Sequence, residues 1–258
     1  MLPFSLVKWY LDCVTDDGQT AILYCADLRW RGLSLSYSSL LHADGQRAEQ
    51  RSSMAPFRLQ AEPQHIDVAF PRLHVAGSWQ AAATPCQLTV YACAAGSVHW
   101  NCLQPASRVS LRIGERELTG WGYAECLTLT LPPWELPMRQ LRWGRFVCAE
   151  ETLAWIDWQG PFATSIAFHN GSRCALLSAS EEKIVAVGAT LRMDESRTLR
   201  QGEVGKTVLP ASPCLRRFLP RSIAGIEERK WRSRGSLQTE SRTSRGWVIH
   251  EVVDWNQP

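Results

Sequence analysis

Short alternating runs, cut by turn residues at intervals of about eight to twelve residues, extend along almost the whole chain, and this rhythm excludes most folds. Residues 7–14 (VKWYLDCV) end at Asp16-Asp17-Gly18, a hairpin signal, and residues 20–28 (TAILYCADL) form the returning strand. A third strand runs from Trp30 to Leu41, and the polar stretch from His42 to Met54 reads as a loop. Strands are predicted over 57–62, 65–70, 72–79, 87–94, 97–103 and 108–113. Further strands follow over 118–131, 141–148, 153–158 and 163–168, and Asn170-Gly171 marks a tight hairpin. Residues 183–193 and 206–211 continue the pattern. Residues 213–234, rich in Arg and Pro, read as a connector before a last hairpin that turns at Ser244-Arg245-Gly246. Long helical periodicity is missing, so the chain is predicted to be all-β.

The most informative strand is 118–131, which Pro132-Pro133 stops. By period-two alternation Leu127, Leu129 and Leu131 share one face, and Glu125 falls on that same face. A carboxylate on an apolar face is costly unless it is paired or serves a cavity. A bulge at Gly122 is the one local feature that would re-aim this stretch. Arg145, between aromatic residues in the run Trp143-Gly144-Arg145-Phe146, is either an ordinary surface partner for an acid or part of the same site.

Composition narrows the function classes. A net charge of +3, with basic residues dispersed until the last third, argues against a nucleic-acid partner. Arg216, Arg217, Arg221, Arg229, Lys230, Arg232 and Arg234 accumulate there, and they read as a solvated, Arg-rich linker interrupted by Glu227 and Glu228. Nine cysteines without CxxC spacing, many in strand-like runs, point to a reduced chain in the cytoplasm rather than to disulfides or zinc. The six histidines form no metal-binding pattern. No apolar run is long enough to span a bilayer, and the first residues lack the features of a signal peptide. Twelve tryptophans against five tyrosines are read mainly as core, with an aromatic-lined pocket as the functional alternative.

Residues 99–125 (HWNCLQPASRVSLRIGERELTGWGYAE) followed by 141–146 (LRWGRF) resemble the carotenoid 1,2-hydratase (hydroxyneurosporene synthase) superfamily and its AttH-like relatives. The opening WYLDCVTDDGQTAIL (9–23) and the closing SLQTESRTSRGWVIHE also resemble that family's ends. The family carries a Gly-x-Gly-Tyr-x-Asp-x-Asn-x-Gly motif. Gly120, Gly122, Tyr123 and Glu125 match its Gly, Gly, Tyr and acid, whereas Leu127 and Leu129 replace Asn and Gly. The resemblance implies two lipocalin-like (calycin-type) antiparallel β-barrels in tandem, divided here as 1–132 and 133–258.

It also implies a hydratase, isomerase or cyclase that protonates a carbon–carbon double bond of an apolar isoprenoid-like molecule without metal or redox cofactor. Glu125 would be the general acid, and Tyr123 and Asp12 (or Asp27) would complete the proton-transfer set. Trp9, Trp100, Trp121, Trp143 and Arg145 are the expected substrate-binding residues, the rings offering faces to a carbocation. Such a ligand implies a working place next to a membrane, with no anchor visible in the sequence. The alternative from a different class is a non-catalytic lipocalin-like binder of an apolar ligand, and a third is an interaction protein without a cavity.

Overall fold

The structure, a computed structural model, describes residues 4–44, 47–207 and 225–255. It is all-β, and its contacts divide the chain into two compact units, Met1–Leu136 and Pro137–Pro258.

The first unit holds β1 (Ser5–Val14), β2 (Thr20–Trp30), β3 (Leu33–Ala43), β4 (Ala48–Ser53) and β5 (Arg58–Ala61). It continues with β6 (His65–Phe70), β7 (Val75–Ala81), β8 (Cys86–Cys93), β9 (Gly96–Ile113) and β10 (Arg116–Leu129). These form one ten-stranded antiparallel sheet in the order β4-β3-β2-β1-β10-β9-β7-β6-β5, with β8 paired to the first half of β9. The long pairing of β1 with β10 joins the first hairpin to the last one. Leu11, Cys13, Leu23, Trp79, Val109 and Leu111 fill the inner face as a continuous apolar cluster. Burying each large side chain of this kind stabilises the fold by about 1.5–3 kcal/mol.

The second unit holds β11 (Gln140–Val147), β12 (Thr152–Gln159), β13 (Thr164–His169) and β14 (Ser172–Ala179). It ends with β15 (Lys183–Ala186), β16 (Ala189–Glu203), β17 (Glu227–Thr239) and β18 (Thr243–Asp254). Each strand pairs with its sequence neighbour, and β11 pairs with β18 to close an eight-stranded barrel. Phe146, Leu153, Trp155, Leu191, Leu237 and Val248 pack its interior. Gly144 makes room for this packing: a Cβ there would lie 2.2 Å from the Trp155 ring.

The two units bear out the tandem lipocalin-like arrangement: the ladder of the first unit ends at β4 on one side and β5 on the other, and that of the second closes on itself among the described residues. Pro56, which has no N–H to donate, stands between β4 and β5. Several local expectations are corrected. Strand β4 lies within the stretch read as a loop, and 97–103 and 108–113 merge into the single bent strand β9. Pro71–Leu73 is a 3₁₀ turn, so the strand expected from 72 starts at Val75. The run 183–193 is two strands, β15 and the start of β16, turning at Val187-Gly188.

The last hairpin turns at Glu240–Arg242, closed by Thr239 N–H donating to Arg242 O at 2.9 Å, and Ser244-Arg245-Gly246 lies inside β18. Residues 227–234 belong to β17 and are not a linker. Charged residues can be buried in this strand because each is compensated there. Lys230 is fully buried between Glu251 and Glu228, and the Arg232 guanidinium lies 4.8 Å from the Trp247 ring centre. Arg216, Arg217, Arg221 and residues 208–211 lie outside the described residues. No helix among the described residues is long and apolar enough to cross a membrane.

Candidate active site

The site is built on the seam between β1 and β10. Their register is regular from Leu6↔Leu129 to Val14↔Trp121, so the faces can be read directly. Tyr10 lies opposite Glu125, Asp12 opposite Tyr123, and Lys8 opposite Leu127. Glu125 therefore shares its face with Leu127 and Leu129, as the alternation requires. An irregularity does lie at this level of the ladder, with its extra residues in β9 and none at Gly122. Pairing steps from Cys102↔Glu125 to Gln104↔Ala124 to Ser107↔Gly122, which leaves the additional residues around Leu103 and Pro105-Ala106. Pro105 cannot donate to the ladder, so an irregularity is expected there. Strand β10 itself keeps its alternation.

Gly122 faces the other way, into the core. A Cβ on it would stand 2.1 Å from the Asp12 carbonyl oxygen and 2.5 Å from Val109 Cγ2. The indole of Trp79 covers this spot, and its Nε1–H donates to the same carbonyl at 2.8 Å. The glycine thus brings β1 against β10 and fixes Tyr10 and Asp12 beside Tyr123 and Glu125.

Glu125 is half-buried, and its Oε2 accepts two hydrogen bonds. One comes from the Tyr123 hydroxyl at 2.7 Å, the other from the Trp100 indole N–H. Oε2 is an acceptor whichever protonation state the carboxyl has, so a transferable proton on this group resides on Oε1. Tyr123 is fully buried, and burial, reinforced by Cys102 and Glu125, pushes its hydroxyl well above the usual tyrosine range. It is therefore a permanent donor. Tyr10 packs edge-on against Tyr24 at 5.3 Å and against Tyr123 at 6.0 Å between ring centres. The Lys8 ammonium stands 5.2 Å from the Tyr24 ring centre. Cys102, opposite Glu125, hydrogen-bonds Tyr123 and Cys86, and burial drives its thiol well above the usual range.

The structure brings together Glu125, Tyr123, Asp12 and Trp100 among the residues predicted from sequence. Asp12 is fully buried on the same face. Trp121 is on this face too, two pairs further along, where the Arg108 guanidinium stacks 3.8 Å from its ring centre. Trp9 is not: it packs against the core cluster on the opposite face. Asp27, on β2, accepts from Ser36 Oγ at 2.6 Å at an exposed position.

Trp143 and Arg145 belong to the second unit. There Arg145 is buried rather than a surface residue and donates to the Trp247 carbonyl at 2.8 Å, while the Lys230 ammonium stands 5.5 Å from the Trp143 ring centre. Tyr10, Tyr24 and Cys102 were missed from sequence. The signal for Tyr10 was the Trp-Tyr-x-Asp opening, once β1 is set in register with β10.

Three further features concern polar groups in the two units. Among the described residues no group of three or more His, Cys, Asp or Glu side chains is arranged to hold a metal ion. An open groove of about 560 Å³ on the first unit is lined by Arg58, Gln60, Asp67, Ala76, Ser110 and Arg112 among others, and by none of the Glu125 cluster. In the second unit, Arg200 grips Glu228 at 2.6 and 2.8 Å from Nη2, both side chains being buried.

No family model and no curated protein sequence matches the chain. Solved structures do match in fold. Kievitone hydratase from Nectria haematococca is similar with a TM-score of 0.58 at 12% identity, covering 98% of this chain and 90% of that one. A putative AttH from Nitrosomonas europaea gives 0.58 at 9% identity, covering 98% and 94%. CghA, solved with Sch210972, gives 0.55 at 9% identity, covering 97% and 88%. At these identities the likeness shows the fold, a lipocalin-like β architecture running through nearly the whole chain.

Proposed function

We propose that this chain is a cofactor-independent enzyme of hydratase type, or a related isomerase or cyclase, that transfers a proton from Glu125 to a carbon–carbon double bond of an apolar, isoprenoid-like molecule. One observation carries the reading: Glu125 sits on an apolar strand face with one carboxyl oxygen held by Tyr123 and Trp100. The fold is shared with a protein named as a hydratase, and the motif resemblance to carotenoid 1,2-hydratases supports the substrate class.

The proton leaves Oε1 for the alkene carbon, and the carboxylate that remains keeps both donors on Oε2. The faces of Tyr10, Tyr24 and Trp100 stabilise the carbocation. In the hydratase form water adds to the cation and its extra proton returns to Glu125, which restores the acid. Asp12, beside Tyr123, is the second carboxyl on this face and orients that water. Leu127 and Leu129, at the positions of the motif's Asn and Gly, exclude solvent from the carboxyl side.

Those two leucines also favour a second reading, a binder of an apolar ligand without turnover. Organic extraction of the purified protein with mass spectrometry identifies the bound class, and Glu125→Gln then separates the readings. The enzyme reading expects binding retained and turnover lost. Turnover that persists in Glu125→Gln refutes the acid role, and an extract empty of apolar molecules removes the support for an isoprenoid substrate.

A further inference from the structure

Beside Glu125 stands a pair of thiols that the proposed reaction does not use. Cys86 on β8 and Cys102 on β9 are direct register partners, and both are free. Directly opposed residues of an antiparallel pair have Cα atoms about 4.5–5.5 Å apart, within the span that a disulfide bridges. The two thiols already hydrogen-bond each other. Cys102 is fully sealed, whereas Cys86 retains 7% of its surface on a strand that pairs with β9 alone. The Cys102 sulfur also faces the Tyr123 hydroxyl as an acceptor, alongside the Glu125 carboxyl to which that hydroxyl donates at 2.7 Å. The four side chains Cys86, Cys102, Tyr123 and Glu125 are thus one connected chain.

We propose that Cys86 and Cys102 are an oxidisable cross-strand dithiol, closed to a disulfide by hydrogen peroxide, that switches the Tyr123–Glu125 pair. Cys86, the more accessible, reacts first. Its sulfur attacks a peroxide oxygen, the O–O bond breaks, and one water leaves with the thiol proton, giving a sulfenic acid. The Cys102 sulfur attacks that of Cys86, the S–O bond breaks, and the departing hydroxide takes the Cys102 proton as a second water. Two electrons pass from the two thiols to one peroxide. Burial holds Cys102 in its thiol form, so this second step is the slow one. The Cys102 sulfur is an acceptor for the Tyr123 hydroxyl, and a disulfide moves that acceptor and changes its strength, so the hydrogen bonding of the Glu125 donor changes.

The test uses the full chain and hydrogen peroxide. Trypsin leaves Cys86, Cys93 and Cys102 in one fragment, residues 73–108, and chymotryptic cuts at Leu88 and Trp100 separate the three cysteines. The expected result is a fragment lighter by two hydrogen atoms, with Cys86 joined to Cys102, reversed by dithiothreitol and absent in Cys86→Ser. Oxidation that instead gives sulfinic acids, or disulfides through the exposed Cys93, overturns the proposal. Its consequence rests on the proposed role of Glu125: turnover should fall several-fold on oxidation and recover on reduction. A cross-link with unchanged turnover overturns the switch, whereas a reduced protein without turnover overturns the acid role of Glu125 and leaves the dithiol standing.

Discussion

Replacing Gly122 with alanine probes the seam on which the site is built. The added Cβ would stand 2.1 Å from the Asp12 carbonyl oxygen and 2.5 Å from Val109 Cγ2. Both distances are roughly an ångström or more inside normal contact. Neither neighbour yields easily, because the carbonyl is held by the Trp79 indole at 2.8 Å and Val109 is in the core. Overpacking of this kind costs about 1–3 kcal/mol, and two simultaneous clashes put this site at about 3 kcal/mol. Gly32→Ala is the control. Gly32 has φ +82° with nothing within 4 Å of a Cβ, so only the left-handed backbone is penalised, by about 1 kcal/mol. With a urea dependence of about 2 kcal/mol per molar, the midpoints should fall by about 1.5 M and about 0.5 M. Urea unfolding of the whole chain, followed by fluorescence and circular dichroism, measures both, and the transition that Gly32→Ala moves identifies the first unit. Equal shifts for the two variants would refute the claim that β1 and β10 need a glycine to meet.

Three other outcomes follow from the same structure. Tyr123→Phe removes one donor from Glu125 Oε2 and should lower kcat about 10- to 100-fold with KM little changed, the worth of a hydrogen bond to a charged group. Steady-state kinetics on an alkene substrate check it. Glu228→Leu removes the carboxylate that the buried Arg200 grips and should cost about 3–5 kcal/mol in thermal unfolding, while the double variant Arg200→Met/Glu228→Leu should recover part of that, Lys230 having lost the same carboxylate. His250 is held down to about 4 by burial and by Lys230. Its unfolded form takes up a proton first as pH falls below about 6.5, so stability is complete above that value and is lost as pH drops to about 4. The loss amounts to about 3 kcal/mol, and His250→Asn should flatten stability–pH curves in that window.

The all-β class and most hairpins were legible because alternation and turn residues are local. Asp16-Asp17-Gly18 and Asn170-Gly171 turn where their chemistry requires, with Gly18 at φ +87° and Asn170 and Gly171 at +50° and +78°. The face of Glu125 was legible for the same reason. What surrounds it was not, because Tyr10 reaches it through the pairing of β1 with β10, which joins the two ends of the first unit. Trp9 shows the limit from the other side: it is next to Tyr10 in sequence but on the opposite face of the strand. Strand β17 was not legible because its charges look solvated in sequence, and it takes tertiary partners such as Glu251 and Arg200 to let Lys230 and Glu228 be buried. Gly122 is permissive enough to allow a bulge in β10, yet the irregularity lies across the ladder, where Pro105 is the residue that cannot pair.

The central claim is that Glu125 delivers its proton to carbon. Reaction of the full chain with a panel of alkene-bearing isoprenoids in heavy water, read by mass spectrometry, tests it most directly. The account predicts one deuterium fixed on carbon per turnover by the native protein and none by Glu125→Gln at equal folding and ligand binding. Equal incorporation by the two proteins, or none by the native chain on a ligand that it binds, would contradict it.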